Sequence, residues 1–203
     1  MKSRLLIGVL ALLMAGSLRA QQNPKISVEG GSPDDRASAR LLYWNGPANA
    51  ADGQLAINYG RPVWKKQYED VATFDKMTKG KIWRMGSNFW TNLYTDVPVT
   101  IGGKSISPGF YFLGMLRSDD GSSWNLAFID PVKVRESRID AFDVRKATVE
   151  FTAPMTVEPA SGDPVDKLTI TLANAQNDIR SATLKVAWGH LALTAPVHVA
   201  APE

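Results

Sequence analysis

The stretch KIWRMGSNFWTNLYTDVPVTIGGKSISPGFYFLGML, residues 81–116, decides the fold of this chain. Within it, Phe89–Tyr94 and Phe110–Leu116 carry apolar side chains on both of the faces that an extended chain presents. A strand with two apolar faces is typical of the inside of a layered structure. The stretch therefore predicts two core strands, separated by about fifteen residues that contain turn signals.

The segment between these two strands is organised by glycine and proline. Val97–Ile101 alternates apolar residues with Pro98 and Thr100, and Gly102-Gly103 follows it. Two glycines tolerate the positive φ angles of a tight hairpin turn. Pro108-Gly109 suits a type II turn, with proline at the second position and glycine at the third. The order strand, turn, short strand, turn, strand predicts an antiparallel meander.

Short apolar runs between turn signals continue on both sides of this stretch. They predict an all-β fold: a single antiparallel β-sandwich or jelly-roll-like domain of about eight to ten strands. Helical spacing within Tyr68–Met77 predicts one short helix. The charged segment Lys133–Lys146 is interpreted as a loop or a short edge element. The flanking strands are predicted at Ala39–Trp44, Leu55–Tyr59, Trp124–Ile129, Ala147–Ala153, Lys167–Leu172, Ala182–Trp188 and Leu191–Val199.

Three short patterns resemble one known family. They are NYGRP at residues 58–62, WRMGSN at residues 83–88 and IGGKSISPGFY at residues 101–111. Together they are similar to the motifs of the bacterial secreted family catalogued as domain of unknown function 2911. The likeness spans roughly Gln54 to Trp188. It departs from the family pattern at Phe89, where the family usually has glutamate. The family is uncharacterised, so the resemblance implies no activity.

The first twenty residues have the pattern of an export signal. Lys2 and Arg4 precede the apolar run Leu5–Met14, and small residues follow. This order is typical of a signal peptide, and the apolar run is too short to span a bilayer. Cleavage is predicted after Ala20, with a cut after Ser17 as the alternative site. An N-terminal membrane anchor is the alternative interpretation of the segment.

Removal of such a leader sets the expected domain organisation and location. The domain plan is a signal peptide at 1–20, a flexible N-terminal arm at 21–52 with one strand, and a β-sandwich domain of unknown function at 53–200. The expected location is periplasmic or extracellular. No membrane span is expected after processing.

Charge and cysteine content exclude several classes of function. The chain has 23 basic and 20 acidic residues, and three of the basic ones lie in the expected leader. The processed chain is then neutral, so it lacks the basic surface that a nucleic-acid partner requires. No cysteine is present, so the chain has neither disulfides nor a cysteine nucleophile.

No residue pattern indicates catalysis. His190 and His198 are the two histidines, and their spacing matches no metal site. The chain contains no Gly-x-Ser-x-Gly nucleophile elbow. We therefore predict no catalytic residue, no metal and no cofactor. Enzymatic activity is left open, with a non-enzymatic role favoured.

The remaining chemistry is that of a binding site. Arginine offers planar paired donors for carboxylates or sugar hydroxyls, asparagine offers a donor and an acceptor, and tryptophan offers a flat apolar face. A glycan, a small anion or an envelope protein is the expected partner. Tyr59 and Trp64 are neighbouring aromatic residues. The candidate binding residues are Arg61, Trp83, Arg84, Asn88 and Trp90.

Three functions are compatible with these residues. The leading one is an exported bacterial envelope protein that binds a small molecule, a glycan or an envelope partner without transforming it. The second is a hydrolase or isomerase of cell-surface polymers, which should bring Arg61, Arg84, Asn88 and a carboxylate together in a deep cleft. The third is a purely structural module, in which the motif residues are buried and bonded to one another.

Export makes a direct prediction about the start of the mature protein. N-terminal sequencing of protein recovered from the periplasm or the medium should find Gln21 or Leu18 as the first residue, because a signal peptidase removes the apolar run. Soluble cytoplasmic protein that retains Met1 would contradict this expectation.

Overall fold

The computed structural model describes residues 34–159 and 162–200, together with Ser27 and Gly30 taken singly. The predicted leader and 11 of the 32 residues of the predicted arm lie outside the described residues. From Asp34 onward the chain clusters as one compact unit. Its strands are β1 (Arg36–Asn45), β2 (Ala50–Gly60), β3 (Ile82–Trp83), β4 (Thr91–Thr95), β5 (Val99–Ile101), β6 (Lys104–Ile106), β7 (Gly109–Arg117), β8 (Trp124–Ile129), β9 (Val149–Val157), β10 (Val165–Ala175), β11 (Asp178–Gly189) and β12 (Leu191–Val199).

The strands form two antiparallel layers that are continuous through one corner. The first layer has the order β1-β2-β4-β7-β8-β9, and β3 also pairs with β7. The second contains β12, β11 and β10, with the β5–β6 hairpin added to β12. The corner is the short pairing of β9 with β12, where Val157 lies opposite Leu193. The result is one open twelve-stranded sheet.

The inward faces of the two layers share a single core. Leu55, Ile57 and Leu93 from the first layer belong to the same buried cluster as Leu184 and Val186 from the second. Burial of apolar surface at about 25 cal/mol per Å² is the main force that holds such layers together. The predicted all-β antiparallel fold is therefore confirmed, and its core has the two-layer arrangement of a sandwich. The described residues form twelve strands rather than the predicted eight to ten, because the β5–β6 hairpin and the two-residue β3 are separate short strands.

The predicted meander is wrong in its pairing. β4 and β7 pair directly, with Leu93 opposite Tyr111, while the β5–β6 hairpin between them crosses to the second layer. There Ile101 lies opposite Val197 of β12. Gly102 and Gly103 form the predicted tight turn, with φ of 56° and 80°. Local pattern identified the strands and the turn, but it could not show which layer the hairpin joins.

The described residues contain two short α-helices, α1 (Val71–Thr78) and α2 (Pro131–Glu136), rather than the one predicted. The predicted helix is α1, and Asp70 caps it by accepting a hydrogen bond from the Thr73 amide at 2.8 Å. α2 begins after Asp130, with proline in its first turn, which is a common helix start. A 3-10 helix follows at Ala141–Lys146, so Lys133–Lys146 is not an edge strand. A further 3-10 helix lies at Lys66–Glu69.

The strand expected at Ala39–Trp44 is present and is longer than predicted. It is part of β1, which pairs with β2 along its whole length. The β1–β2 hairpin therefore crosses residues 52 and 53, where the sequence placed the boundary between the N-terminal arm and the β-sandwich domain. Among the helices of the described residues, none has the length and apolar character needed to cross a bilayer.

A loop at residues 84–90 lies between β3 and β4, which both pair with one edge of β7 inside the first layer. β3 and β4 lie end to end along this edge, opposite Met115 and Leu113 respectively. Inside the loop, Met85 is fully buried although its φ is 51°, a left-handed conformation that non-glycine residues rarely adopt. The Thr91 hydroxyl donates to the Met85 carbonyl at 2.6 Å and fixes this conformation.

Two glycines allow this loop to pack against the end of β2. A Cβ on Gly86 would lie 2.7 Å from Thr91 Oγ1 and 3.4 Å from the Gly60 amide nitrogen. A Cβ on Gly60 would collide with the backbone of Ser87. The NYGRP and WRMGSN motifs therefore meet in space, through backbone packing that side chains would prevent.

We expect Gly60→Ala to destabilise the fold, because the new methyl group must displace the 84–90 loop. Overpacking of this kind costs about 1–3 kcal/mol, which lowers Tm by about 2–4 °C per kcal/mol in a domain of this size. Thermal unfolding followed by circular dichroism measures the effect. Gly46→Ala is the matched control, since nothing lies within 4 Å of its added Cβ. Equal melting temperatures for the two variants would contradict the proposed packing.

Candidate functional site

The main candidate site among the described residues is a cleft with a volume of about 910 Å³. It opens where β2, β3 and β11 end and where the 3-10 helix at 141–146 passes over them. Its size falls in the range of about 300–1,000 Å³ that is common for small-molecule sites. We call it the aromatic cleft. Its lining includes Pro62, Lys65, Tyr68, Ile82, Trp83, Arg84, Ser87, Phe142, Asp143, Arg145, Lys146 and Trp188.

A stacked pair of indoles forms one wall of the aromatic cleft. The rings of Trp83 and Trp188 are nearly parallel, with centroids 5.0 Å apart. Trp188 is fixed by its Nε1, which donates to the Pro62 carbonyl at 2.9 Å. Tyr68 adds a third ring, 5.3 Å from Trp188. This wall gives the cleft a rigid apolar surface.

The aromatic wall depends on close packing of Trp64 against the end of β11. Trp64 meets Trp188 edge to face, with centroids 5.1 Å apart. Gly189 has a φ of 59°, and a Cβ there would collide with the Trp64 ring. The turn after β11 therefore needs glycine both for its backbone conformation and for the space that Trp64 occupies.

Arg84 forms the polar part of the aromatic cleft. Its Nε donates to the Gly86 carbonyl at 3.2 Å, and its guanidinium lies 4.1 Å from the centroid of the Phe142 ring. Its Nη1 is buried and has no hydrogen-bond partner within the part of the chain that the structure describes. Burial lowers the pKa of Arg84 and the nearby Asp140 carboxylate partly opposes this shift, but an arginine stays protonated at neutral pH.

Positive charge dominates the rim of the aromatic cleft. Lys65, Arg145 and Lys146 join Arg84 on its lining. Asp143 is the one acidic residue among the described lining residues, and its carboxylate already pairs with the Lys146 ammonium at 2.9 Å. Clefts lined by one sign of charge concentrate ligands of the opposite sign. The cleft is thus suited to a ligand with a flat face and a negative group.

The structure separates the five predicted site residues. Trp83 and Arg84 line the aromatic cleft together, and the other three lie elsewhere. Trp90 is buried and stacks on Phe112 at 4.8 Å in a second core cluster. Arg61 and Asn88 were expected to share a surface with Arg84, but each makes its own contact with a neighbouring segment.

Arg61 and Asn88 hold segments of the fold together. The Arg61 Nε donates to the Leu168 carbonyl at 3.4 Å, which ties the end of β2 to β10. Asn88 has a φ of 61°, and its Nδ2 donates to the Asp34 carboxylate at 2.9 Å. Tyr59, the aromatic neighbour noted in the sequence, is buried, and its hydroxyl bonds to the backbone of Ile170.

Several lining residues were missed by the sequence reasoning. Trp188 was interpreted only as the end of a strand, and Phe142, Arg145 and Lys146 lie in the segment interpreted as a loop or edge element. The Trp188-Gly189 dipeptide offered one signal, because glycine marks a turn and so places Trp188 at the end of a strand. Pairing it with Trp83, more than a hundred residues earlier, requires the topology.

Metal binding has no support in the described residues. No group of three or more His, Asp or Glu side chains there is arranged to hold an ion. His190 lies at the turn after β11, and His198 lies on β12 opposite Thr100. Both are exposed.

Comparison with known proteins identifies one family. A family model described as "Protein of unknown function (DUF2911)" matches residues 46–197, about three quarters of the chain. The match includes the whole aromatic cleft. No curated protein and no solved structure matches this chain significantly.

Phe142 should act as a removable cover on Arg84. Its side chain is 73% exposed, so Phe142→Ala should change the free energy of unfolding by less than about 1 kcal/mol. The same change should make Arg84 several times more reactive toward phenylglyoxal, measured by peptide mass spectrometry, because the ring no longer shields the guanidinium. Phe89→Ala is the matched control, since Phe89 is also exposed and lies near Arg36 instead. An unchanged rate at Arg84 in Phe142→Ala would rule out the cover.

Proposed function

We propose that this chain, which belongs to the DUF2911 family of proteins of unknown function, is an exported bacterial envelope protein that binds a small anionic molecule or an acidic glycan without transforming it. The observation that carries the proposal is the unpartnered Nη1 of Arg84 beside the stacked Trp83–Trp188 pair. Export rests on the leader pattern of residues 1–20.

The unpartnered nitrogen favours binding over a purely structural role. Buried polar groups in folded proteins nearly always have a hydrogen-bond partner. An arginine that served only as a tether would use its donors on fixed acceptors. Arg84 uses Nε in this way and leaves Nη1 without a partner among the described residues. A ligand carboxylate or phosphate would supply the missing acceptor in a charge-assisted hydrogen bond.

Phe142 does not prevent this contact. Its ring covers the guanidinium, but the side chain is mostly exposed and can turn toward solvent. A ligand anion that approaches Arg84 would displace the ring and replace a cation–π contact of about 0.5–1 kcal/mol with a stronger charged hydrogen bond.

The lining favours binding over hydrolysis or isomerisation. Enzymes of these classes commonly use a pair of acid and base groups near the reacting bond. The described lining offers Asp143, which is paired with Lys146. Arg61 and Asn88, which the enzymatic alternative needed in the cleft, make other contacts. Recognition without chemistry fits these side chains better.

A matched pair of sugars tests the proposal. D-glucuronate and D-glucose share a ring and differ at C6, where glucuronate carries a carboxylate. Titration calorimetry at low ionic strength should show glucuronate bound at least tenfold more tightly than glucose, because a charged hydrogen bond contributes about 1.5–3 kcal/mol. The preference should weaken as salt is added.

Arginine variants locate the interaction. Arg84→Gln should remove the preference for glucuronate, while Arg40→Gln should keep it. Arg40 is an exposed arginine on β1 that bonds to Gln54, and it does not line the cleft. Equal binding of both sugars, or an unchanged preference in Arg84→Gln, would overturn the proposal. Galacturonate and glucose 6-phosphate, each with its neutral counterpart, extend the same comparison to other anionic sugars.

A further inference from the structure

A second groove lies at the opposite end of the layers from the aromatic cleft. Its volume is about 380 Å³. It is formed by β1 around Trp44, by the start of β2 at Asp52 and by the β10–β11 turn. β2 and β11 run from this groove to the aromatic cleft, and a strand rises about 3.3 Å per residue, which places the two about 30 Å apart. We call it the hairpin-end groove. Its described lining residues are Leu41, Leu42, Tyr43, Trp44, Asp52, Asn174 and Ile179.

A β-bulge brings Asp52 into the hairpin-end groove. Tyr43 pairs with Gly53 and Trp44 pairs with Ala51, so Asp52 is an extra residue without a direct partner on β1. Bulges of this kind bend a strand and redirect a side chain, and they are common beside functional sites. Here the bulge places Asp52 on the lining of the groove that Trp44 also lines.

Trp44 is exposed to an extent that no other tryptophan of this chain matches. Its side chain is 57% exposed, while the other five are buried or half-buried. An indole combines a large flat apolar face with one polar edge. The C–H face of a pyranose ring is flat and apolar in the same way, while its rim carries hydroxyl groups. An exposed indole beside hydrogen-bonding groups is therefore suited to a sugar.

Tyr43 supplies a hydrogen-bond donor that nothing in the described residues uses. Its hydroxyl is buried at the groove without a partner. Burial raises the pKa of Tyr43, with a smaller contribution from Asp178, so the hydroxyl stays protonated at neutral pH and can donate. Asn174 holds the other side of the groove, since its Nδ2 donates to the Ile179 carbonyl at 2.9 Å and the Ser181 carbonyl at 3.1 Å.

We propose that the hairpin-end groove binds a neutral saccharide, with Trp44 stacked on a sugar ring, Asp52 accepting hydrogen bonds from its hydroxyls and the Tyr43 hydroxyl donating one. The lining carries Asp52 and no basic residue among those described, which disfavours an anionic ligand. Leu42 and Ile179 are exposed at its margins and contact the apolar parts of the ligand. The Asp52 carboxylate and the Tyr43 hydroxyl can both form hydrogen bonds, which favours a ligand rich in hydroxyl groups over the apolar surface of a partner protein.

Tryptophan fluorescence of the full chain tests this site directly, because Trp44 is the exposed indole. The probes are β-linked tetramers of glucose and of N-acetylglucosamine. Binding of either tetramer should shift the emission to shorter wavelength and reduce quenching by acrylamide. Trp44→Ala should abolish both changes and weaken binding at least tenfold, while Trp44→Phe, which keeps a ring, should retain part of the affinity.

Further variants separate this site from the aromatic cleft and from other occupants. Asp52→Asn should weaken tetramer binding severalfold, because the amide accepts fewer hydrogen bonds than the carboxylate. Arg84→Gln should leave tetramer binding unchanged, so failure of the aromatic cleft and failure of this groove give different results. Absence of tetramer binding, or equal binding by Trp44→Ala, would overturn the proposal. A blue-shifted emission without sugar, together with a doubled mass in light scattering, would overturn it in favour of a second copy of the chain.

Discussion

The loop between β3 and β4 depends on the contact between Gly60 and the Gly86–Ser87 backbone, and the aromatic cleft depends on the loop. β3 and β4 occupy one edge of β7, so a regular chain would run straight from one to the other. Instead, seven residues leave the sheet between them. This detour packs only where two backbones approach without side chains between them. The left-handed Met85 is tolerated because its buried side chain and the Thr91 hydroxyl hold it in place.

The detour explains why Trp83 and Arg84 can lie in one cleft. Adjacent residues of a regular strand point to opposite faces, which would send one of the two away from the other. Trp83 is the last residue of β3, and Arg84 already belongs to the loop. The chain leaves the pleat at that point, so both side chains reach the cleft. The structural and functional interpretations of the WRMGSN motif are therefore compatible: Gly86 and Asn88 shape the loop, and Trp83 and Arg84 use it.

Sequence reasoning found the strands because their signal is local. Alternation and turn residues identified β7, β8 and β12 to within one residue of their observed bounds, and they identified the second half of β2. It did not find the partner of β5, because that pairing joins residues about a hundred positions apart. α2 was missed for a different reason: most of it lies in the charged segment that was interpreted as a loop or a short edge element, and the helix start at Asp130-Pro131 was not recognised. Trp90 was included among the candidate binding residues because the sequence does not show whether an aromatic residue beside a motif is buried or exposed.

The candidate sites were harder to predict from the sequence than the strands, because their residues are brought together only by long-range contacts. The aromatic cleft joins Trp83, Phe142 and Trp188 from three distant segments, and no spacing rule connects them. The two sites lie at opposite ends of β2 and β11, and their charges are opposite, with a cationic rim at one end and Asp52 at the other. The strands between them, β2 and β11, are each paired on both sides and contribute to one core. The same regular strands thus present different side chains at their two ends, which is why one fold can carry two candidate sites of opposite charge.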